Sequence, residues 1–164
     1  MAAAARDAPF NYVDVGLSRG TAAPAGYWPN RGGGVVNSDL AAAKAAILQL
    51  APFDLGWLRA GGQVAVGEVV TVCTRVFGVW TAQACRVIYV DDEPERLRWG
   101  YGTVLGHAMA GEERFEVRQE GNRVVFEVFS YSRPATFFSW LTLPVVRHLQ
   151  RKFAADSAAR MTRC

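Results

Sequence analysis

The feature that most constrains the fold is a series of five strand-like segments between residues 68 and 132, followed by one helical stripe. Each segment is rich in Val, Phe, Tyr, Ile and Thr, and turn residues separate it from the next, which is the spacing of strands joined by hairpins. The segments are Glu68–Val76, Val79–Val90, Leu97–Leu105, Arg114–Gln119 and Val124–Ser132. The sequence therefore predicts a five-stranded antiparallel meander over residues 68–132.

The third of these segments predicts that the sheet is strongly curved. Its large residues alternate onto one face, whereas Arg98, Gly100 and Gly102 fall on the other. Glycine inside a strand marks a sharp bend or the close approach of another part of the chain. We therefore expect a curved sheet with one apolar face to bury.

The chain ends in a stretch suited to cover that face. Over residues 137–162 apolar side chains recur at three- and four-residue spacing, which is the period of a helix, and Pro144 fits a first turn. A curved antiparallel sheet must bury its apolar face, and this helix is available to do so. The predicted fold class is α+β of the helix-grip type, in which a curved antiparallel sheet wraps around a long C-terminal α-helix.

The region before the meander is predicted to be less regular. Residues 1–34 are rich in Gly, Pro, Ala and Asn, so we expect irregular structure that ends in a short strand at Gly34–Asn37. Residues 38–66 are expected to be a helical region, since Asp39 can cap a helix from Leu40 that Pro52 stops. The remainder of that region, residues 53–66, is expected to be a loop or a second short helix. A chain of 164 residues fits a single domain.

Composition excludes several classes of protein. A hydrophobic fraction of 51% with a net charge of +3 is atypical of a disordered chain. No uncharged apolar stretch reaches the length of a transmembrane helix, so we expect no transmembrane segment. An excess of 18 positive over 15 negative residues makes a nucleic-acid partner unexpected unless the charge lies on one face. One local concentration, Arg147, His148, Arg151 and Lys152, is interpreted as a solvated helix face or as a contact for phosphate or acidic lipid.

Cysteine and histidine usage makes a metal site or a disulfide framework unexpected. Cys73, Cys85 and Cys164 are odd in number, widely spaced and lack a Cys-x-x-Cys pair. With no signal-like apolar core in the first ten residues, they predict a cytoplasmic protein. The triple glycine at 32–34 is followed by no Gly-Lys-Ser/Thr, so it is not a phosphate loop and we expect no cofactor.

Four segments carry a resemblance to a known family. They are Phe10–Gly20 with its Asn-Tyr, Val-Gly and Arg-Gly pairs, Cys85–Glu93, Gly100–His107 with Gly111–Phe115, and Ser130–Ala135 followed by Pro144, Arg147, Gln150 and Phe153. In this order and spacing they resemble domain of unknown function 1990, a family of bacteria and plants. The resemblance implies a fold similar to the helix-grip superfamily of lipid-transfer, polyketide-cyclase and Bet v 1-like proteins, with a cavity between sheet and helix. It implies no particular chemistry.

The residues that could carry chemistry crowd into the two most motif-like segments. Tyr101, His107, Glu112 and Glu113 lie within 13 positions, and such groups can perform general acid–base work when their pKa values are shifted toward neutrality. Arg133, at the end of the last strand, can bind a carboxylate or phosphate through its planar fork. The candidate catalytic residues are Tyr101, His107 and Glu113. The candidate ligand-binding residues are Trp99, Tyr101, His107, Glu113, Tyr131 and Arg133.

A purely structural interpretation of the same residues stands beside this one. His107 follows a glycine at the start of a loop, where it can bond backbone groups and fix the turn. Arg133 can pair with Glu113 and tie the sheet to the C-terminal helix. Shifted pKa values occur in structural networks as well as in active sites.

Three functions follow from these alternatives. The first is the binding of a small apolar or amphipathic molecule in a cavity under the C-terminal helix. The second is an enzyme of the cyclase or hydrolase type that uses Tyr101, His107 and Glu113. The third is a protein-interaction module with a filled core. A continuous apolar cavity of about 300 Å³ or more, with polar groups converging at one end, would favour the first two, and a solid interior the third.

Overall fold

A computed structural model describes residues 2–164, with side chains from residue 5 onward. Seven strands form one sheet in the order β1-β7-β6-β5-β4-β3-β2, and every neighbouring pair is antiparallel. The strands are β1 Trp28–Val36, β2 Leu58–Gly62, β3 Val69–Val76, β4 Val79–Glu93, β5 Arg96–Thr103, β6 Met109–Glu120 and β7 Arg123–Pro134. The predicted five-strand meander corresponds to β3–β7.

The meander is longer at its ends than the sequence predicts. β4 continues to Glu93, so most of the predicted turn at residues 91–94 belongs to the strand. β6 begins at Met109, although residues 106–111 were predicted to be a turn. Pairing with a neighbouring strand supplies hydrogen bonds to polar and glycine residues that have little strand preference of their own.

Two further strands extend the sheet in regions where none or little was predicted. The prediction of irregular structure for residues 1–34 is wrong over β1, which begins at Trp28 and pairs along its whole length with β7. It is also wrong over helix α1 (Ala2–Asp7), and Met1 lies outside the described residues. The prediction of a helical region over 38–66 is wrong over β2, which pairs with β3 at the other edge.

The helices differ from their predicted extent in one place. Helix α2 (Leu40–Leu48) begins as predicted, with the Asp39 side chain accepting a hydrogen bond from the Ala42 amide at 2.8 Å. The single helix predicted over 137–162 is instead α3 (Phe137–Leu141) and α4 (Leu143–Met161). Pro144 causes the break, because it has no amide proton to bond back to the last turn of α3.

The core lies between the inner face of the sheet, α2 and α4. Five aromatic rings form its centre, and the Trp99 and Phe115 rings stack with their centroids 4.8 Å apart. The five are Phe53, Trp99, Tyr101, Phe115 and Phe153. Helix α4 runs across the inner face, so the predicted helix-grip architecture is confirmed. None of the helices within residues 2–164 is both long and apolar enough to cross a bilayer.

The outer face of the sheet is covered by residues 9–20, which we call the strap. Its first residues pair with the end of β5 around Val104, and it then crosses the sheet. A Cβ atom on Gly102 would lie 2.0 Å from the hydroxyl of Tyr12 in the strap, and one on Gly100 would lie 2.6 Å from the Tyr89 ring. Each glycine thus leaves room for a tyrosine side chain against the outer face.

Candidate functional site

A pocket of about 290 Å³ lies between the inner face of the sheet and the first half of α4. Its floor is the buried ring of Phe53, and α4 contributes Val146, Leu149 and Phe153. The β3–β4 hairpin borders its open side, where Thr81 is exposed. We define the mouth of the pocket by Val76 and Thr81 of this hairpin and by Val146 and Leu149 of α4. A ligand entering here would meet mainly aliphatic and aromatic surface.

Three polar residues form a row across the inner face at the pocket. Tyr101 of β5 is in register with Glu113 of β6, which is in register with Ser130 of β7. Residues opposite one another in antiparallel strands have their side chains on the same face. The Tyr101 hydroxyl donates a hydrogen bond to Oε2 of Glu113. The buried tyrosine and the carboxyl group thus form one hydrogen-bonded unit in a wall whose surface is mainly apolar.

Burial gives this unit unusual acid–base properties. It raises the pKa of Glu113 from 4.5 to about 7, although hydrogen bonds from Tyr101 and Ser130 act in the opposite direction. Burial and then the adjacent Glu113 carboxylate raise the pKa of Tyr101 well above its usual value. Tyr101 is therefore a fixed hydrogen-bond donor, whereas Glu113 is present both protonated and ionised near neutral pH.

Other polar groups at the pocket are structural or unreactive. Gln150 of α4 donates a hydrogen bond to Oγ of Ser132 at 2.7 Å, which links the helix to β7. Burial raises the pKa of the Cys85 thiol, so it stays protonated and is a poor nucleophile. Within residues 2–164 no three His, Cys, Asp or Glu side chains are grouped so that they could hold a metal ion.

His107 borders the pocket, but its ring is held by the turn that contains it. Its Nδ1 lies 3.0 Å from both the amide nitrogen and the carbonyl oxygen of Met109. Burial lowers the pKa of His107 to about 4, so the imidazole is neutral at physiological pH. This arrangement matches the structural interpretation of the residue.

The remaining predicted ligand-binding residues do not join Tyr101 and Glu113. Trp99 is fully buried in the aromatic core beneath the pocket. Tyr131 borders the pocket, yet its ring packs edge-on against Tyr27, away from the inner face. Arg133 follows Tyr131 by two residues, so it lies on the same side of β7. Its guanidinium is 4.9 Å from the centre of the Tyr27 ring. Arg133 therefore contacts Tyr27 rather than Glu113.

Glu112 and Arg114 belong to a different network, on the outer face. The buried Glu112 carboxylate accepts hydrogen bonds from the Tyr12 hydroxyl at 2.9 Å, from the Gly16 amide at 2.5 Å and from the Ser18 amide at 2.8 Å. Arg114 donates to the carbonyl oxygens of Ser18 and Gly20 and pairs with Glu127. The strap motif and the Gly100–Phe115 motif thus meet in one structural network.

The sequence interpretation missed several pocket residues. They come from three separated elements, namely Phe53 before β2, Gln83 and Cys85 of β4, and Leu149 and Gln150 of α4. Leu149 lies in the helical stripe, so periodicity marks it as inward. It does not say which inward residue borders a space.

Solved structures share this fold at low sequence identity. TTHA0849 from Thermus thermophilus aligns with a TM-score of 0.61 at 12% identity, over 82% of this chain and 94% of that one. Ara h 8.0201 aligns with a TM-score of 0.50 at 11% identity, over 84% and 99%. The major latex-like protein 151 of Panax ginseng aligns with a TM-score of 0.50 at 15% identity, over 77% and 97%. These Bet v 1-like neighbours agree with the helix-grip architecture.

Sequence comparison places the chain in a family. A UPF0548 protein of Dictyostelium discoideum is 33% identical over 135 residues, which are 73% of this chain and 62% of that protein. A UPF0548 protein of Arabidopsis thaliana is 32% identical over 124 residues, 70% of this chain and 60% of that one. One of Deinococcus radiodurans is 36% identical over 135 residues, 74% and 68%. The chain thus spans about three fifths of the first two relatives.

The family model agrees with these relatives. It matches residues 11–160, from the strap to the end of α4. The segments that carry the predicted resemblance lie within that span, apart from Phe10 at the start of the first segment. The chain therefore belongs to the DUF1990 family, described as a domain of unknown function.

Proposed function

We propose that the protein binds a small, mainly apolar molecule in the pocket under α4, with the Tyr101–Glu113 pair holding its one polar group. The observation that carries the proposal is the buried, hydrogen-bonded Tyr101–Glu113 pair in a pocket of about 290 Å³ whose surface is mainly apolar. Binding sites for small molecules typically combine an apolar wall with a few well-placed polar groups. The volume is at the lower end for such sites, so the ligand is small.

The polar pair selects for an uncharged ligand. A ligand carboxylate would face the ionised form of Glu113 and be repelled, because the surrounding apolar wall screens charge poorly. A hydroxyl group can donate to ionised Glu113, and a carbonyl group can accept from its protonated form. The proposed ligand class is therefore a neutral amphipathic molecule with a hydroxyl or carbonyl group.

Binding of the neutral fluorescent probe N-phenyl-1-naphthylamine tests the proposal. Leu149→Trp fills the pocket from α4, and we expect it to weaken probe binding by about tenfold or more, because a well-packed site does not accommodate added volume. His148→Trp is the matched control, since the same side chain at the neighbouring exposed position leaves the pocket open. Equal binding by the two variants would refute binding in the pocket.

Catalysis is a second candidate function, and one observation favours it. The pKa of Glu113, raised to about 7 beside the pocket, suits a general acid or base at neutral pH. The experiment is native mass spectrometry of the wild-type protein and of the Glu113→Gln variant. Each is purified from the kind of cell in which the protein naturally occurs. A carrier would retain the same molecule in both, whereas an enzyme would retain an unconverted substrate only in Glu113→Gln.

The pocket also bears on the third candidate function, a protein-interaction module with a filled core. The interaction module needs a filled interior, so the pocket gives it less support. We also propose a cytoplasmic location, which is supported by the three cysteines being free thiols.

A further inference from the structure

Two apolar projections flank the mouth of the pocket. On one side the tip of the β3–β4 hairpin carries Phe77, whose side chain is 91% exposed, and Val79, 65% exposed. On the other side α3 exposes Phe137, Phe138 and Leu141, each by at least 70%. Large apolar side chains clustered on a surface mark a site of interaction with a partner or a membrane. We call these five residues the apolar rim.

The hairpin tip is unusual because its aromatic residue is strained. Phe77 and Gly78 form the two-residue turn between β3 and β4, and both have positive φ, 49° and 83°. Asn or Asp normally precedes the glycine in such a turn, since bulky side chains are disfavoured there. The side chain of Phe77 neither favours this turn nor packs in the core, so its exposed ring needs another explanation.

Helix α3 exposes its apolar side chains and buries a polar one. Its buried residue is Ser139, whose hydroxyl completes a capping box with Thr136, while its aromatic residues face solvent. The Trp140 ring packs edge-on against Trp28, with the ring centroids 5.8 Å apart, which attaches the helix to β1. The apolar side is thus held outward by the packing of α3.

Positive and negative residues are distributed unevenly between the two ends of the sheet. No Asp or Glu occurs between residues 69 and 90 or between residues 128 and 155, the stretches that form both sides of the mouth. Those stretches carry three exposed arginines, namely Arg75, Arg133 and Arg151. Arg147 is half-buried and donates hydrogen bonds to the Pro29 carbonyl oxygen and to Gln150. Acidic residues concentrate at the opposite end of the sheet, where β4 turns into β5 through Asp91, Asp92, Glu93 and Glu95.

We propose that the mouth end of the molecule docks on an anionic phospholipid bilayer, with the apolar rim in the interfacial layer and the three exposed arginines against lipid phosphates. Exposed aromatic and leucine side chains beside cations are the combination that binds anionic bilayer surfaces. A second copy of the chain fits less well, because it would bring two positively charged ends together. The proposal goes beyond the pocket ligand, and a pocket that binds nothing would leave it standing.

Vesicle flotation tests the proposal with vesicles of phosphatidylcholine alone and with vesicles that include phosphatidylserine. We expect the wild-type protein to float with the second kind, to float much less with the first, and to be released by salt, which screens exposed charges. Phe77→Asn should weaken flotation by roughly tenfold, because it removes one inserted ring from the interface. Its thermal stability should not fall, since Asn tolerates the positive φ at this position.

Two further variants distinguish insertion of the apolar rim from nonspecific binding to vesicles. Phe138→Ser should also weaken flotation, whereas Val66→Ser, which removes an apolar side chain 65% exposed outside the rim, should leave it unchanged. Failure of the wild-type protein to float with phosphatidylserine vesicles at low salt would overturn the proposal, as would full binding by Phe77→Asn. A dimer in analytical ultracentrifugation that Phe138→Ser abolishes would assign the rim to a second copy and overturn it too.

Leu149→Trp distinguishes this proposal from the proposed pocket function. The variant fills the pocket without altering the rim, so it should lose the naphthylamine probe and keep flotation. Loss of flotation in Leu149→Trp while Phe77→Asn floats normally would contradict docking through the rim.

Discussion

The carboxyl group of Glu113 titrates close to physiological pH because the protein surrounds it. Its neighbour Tyr101 cannot ionise there, so the Tyr101 hydroxyl keeps donating its hydrogen bond to Glu113 while the charge of the carboxyl group varies. A carboxyl group that is often protonated can lie in an apolar wall at lower cost than a permanent charge. The pair is therefore suited to a neutral ligand.

This raised pKa predicts how Glu113→Gln changes stability with pH. Between pH 4.5 and about 7 the unfolded chain loses the Glu113 proton while the folded chain keeps it, so wild-type stability falls as pH rises. The full cost, about 3 kcal/mol, is present above pH 7. Glu113→Gln should raise the melting temperature at pH 8 by several degrees and change it little at pH 4, as measured by circular dichroism. An equal effect at both values would contradict the burial of an ionisable group.

His107 predicts the opposite dependence. Its folded pKa of about 4 is below the unfolded value of 6.5, so the unfolded chain binds a proton that the folded chain does not, and stability is lost as pH falls from 6.5 to 4. In His107→Asn an amide oxygen can replace Nδ1 as the acceptor for the Met109 amide. We expect this variant to lose about 3 kcal/mol less than wild type over that range in urea unfolding. Parallel losses would show that His107 is accessible to protons in the fold.

At the scale of elements, the contact between α4 and β1 depends on one missing side chain. A Cβ atom on Gly32 would lie 2.4 Å from the carbonyl oxygen of Ala154. A Cβ atom on Gly34, two residues on along the same strand, would meet only Thr162, at 3.6 Å. The first glycine lets the helix lie on the strand, whereas the second is not required for the contact.

Substitution at these two glycines tests that conclusion. Gly32→Ala should destabilise the protein by about 1–3 kcal/mol, the usual cost of overpacking, because α4 must move off the strand. Gly34→Ala should cost less than about 1 kcal/mol, since the added methyl makes an ordinary contact. Urea unfolding of both variants measures the difference. Similar costs would mean that strand propensity, and not the helix contact, determines the effect.

The elements that the sequence failed to predict share a physical cause. β1 contains a proline and three consecutive glycines, a composition that disfavours a strand. It forms because β7 supplies hydrogen-bond partners along its length and because α4 packs against the flat surface that it provides. β2 is a short edge strand with two glycines that pairs only with β3. Local preference is overridden by tertiary contacts in both cases. The break at Thr142, by contrast, could have been predicted from the sequence, because Pro144 cannot continue a helix begun at Phe137.

At the scale of the whole molecule, the sequence grouped two of the residues that the fold brings together. Tyr101 and Glu113 were candidates because they lie within 13 positions of each other in motif-like segments, and the register of β5 with β6 pairs them. Tyr131 and Arg133 fall on the other face of β7, and only the register of β6 with β7 shows that Ser130 is the residue beside Glu113. The space itself depends on how α4 crosses the sheet, which no local pattern encodes.

The uneven attachment of α4 has a mechanical consequence. Its buried side chains, Phe153, Ala154, Ser157 and Met161, all lie in its second half, whereas Val145 at its start is exposed. The first half is attached mainly by hydrogen bonds of Arg147 and Gln150 to β1 and β7. From Ala154 to Val146 the helix spans about 12 Å, so a tilt of only about 10° about Ala154 would displace Val146 by about 2 Å. A small rotation at one glycine contact would thus change the width of the mouth, once those few hydrogen bonds are broken.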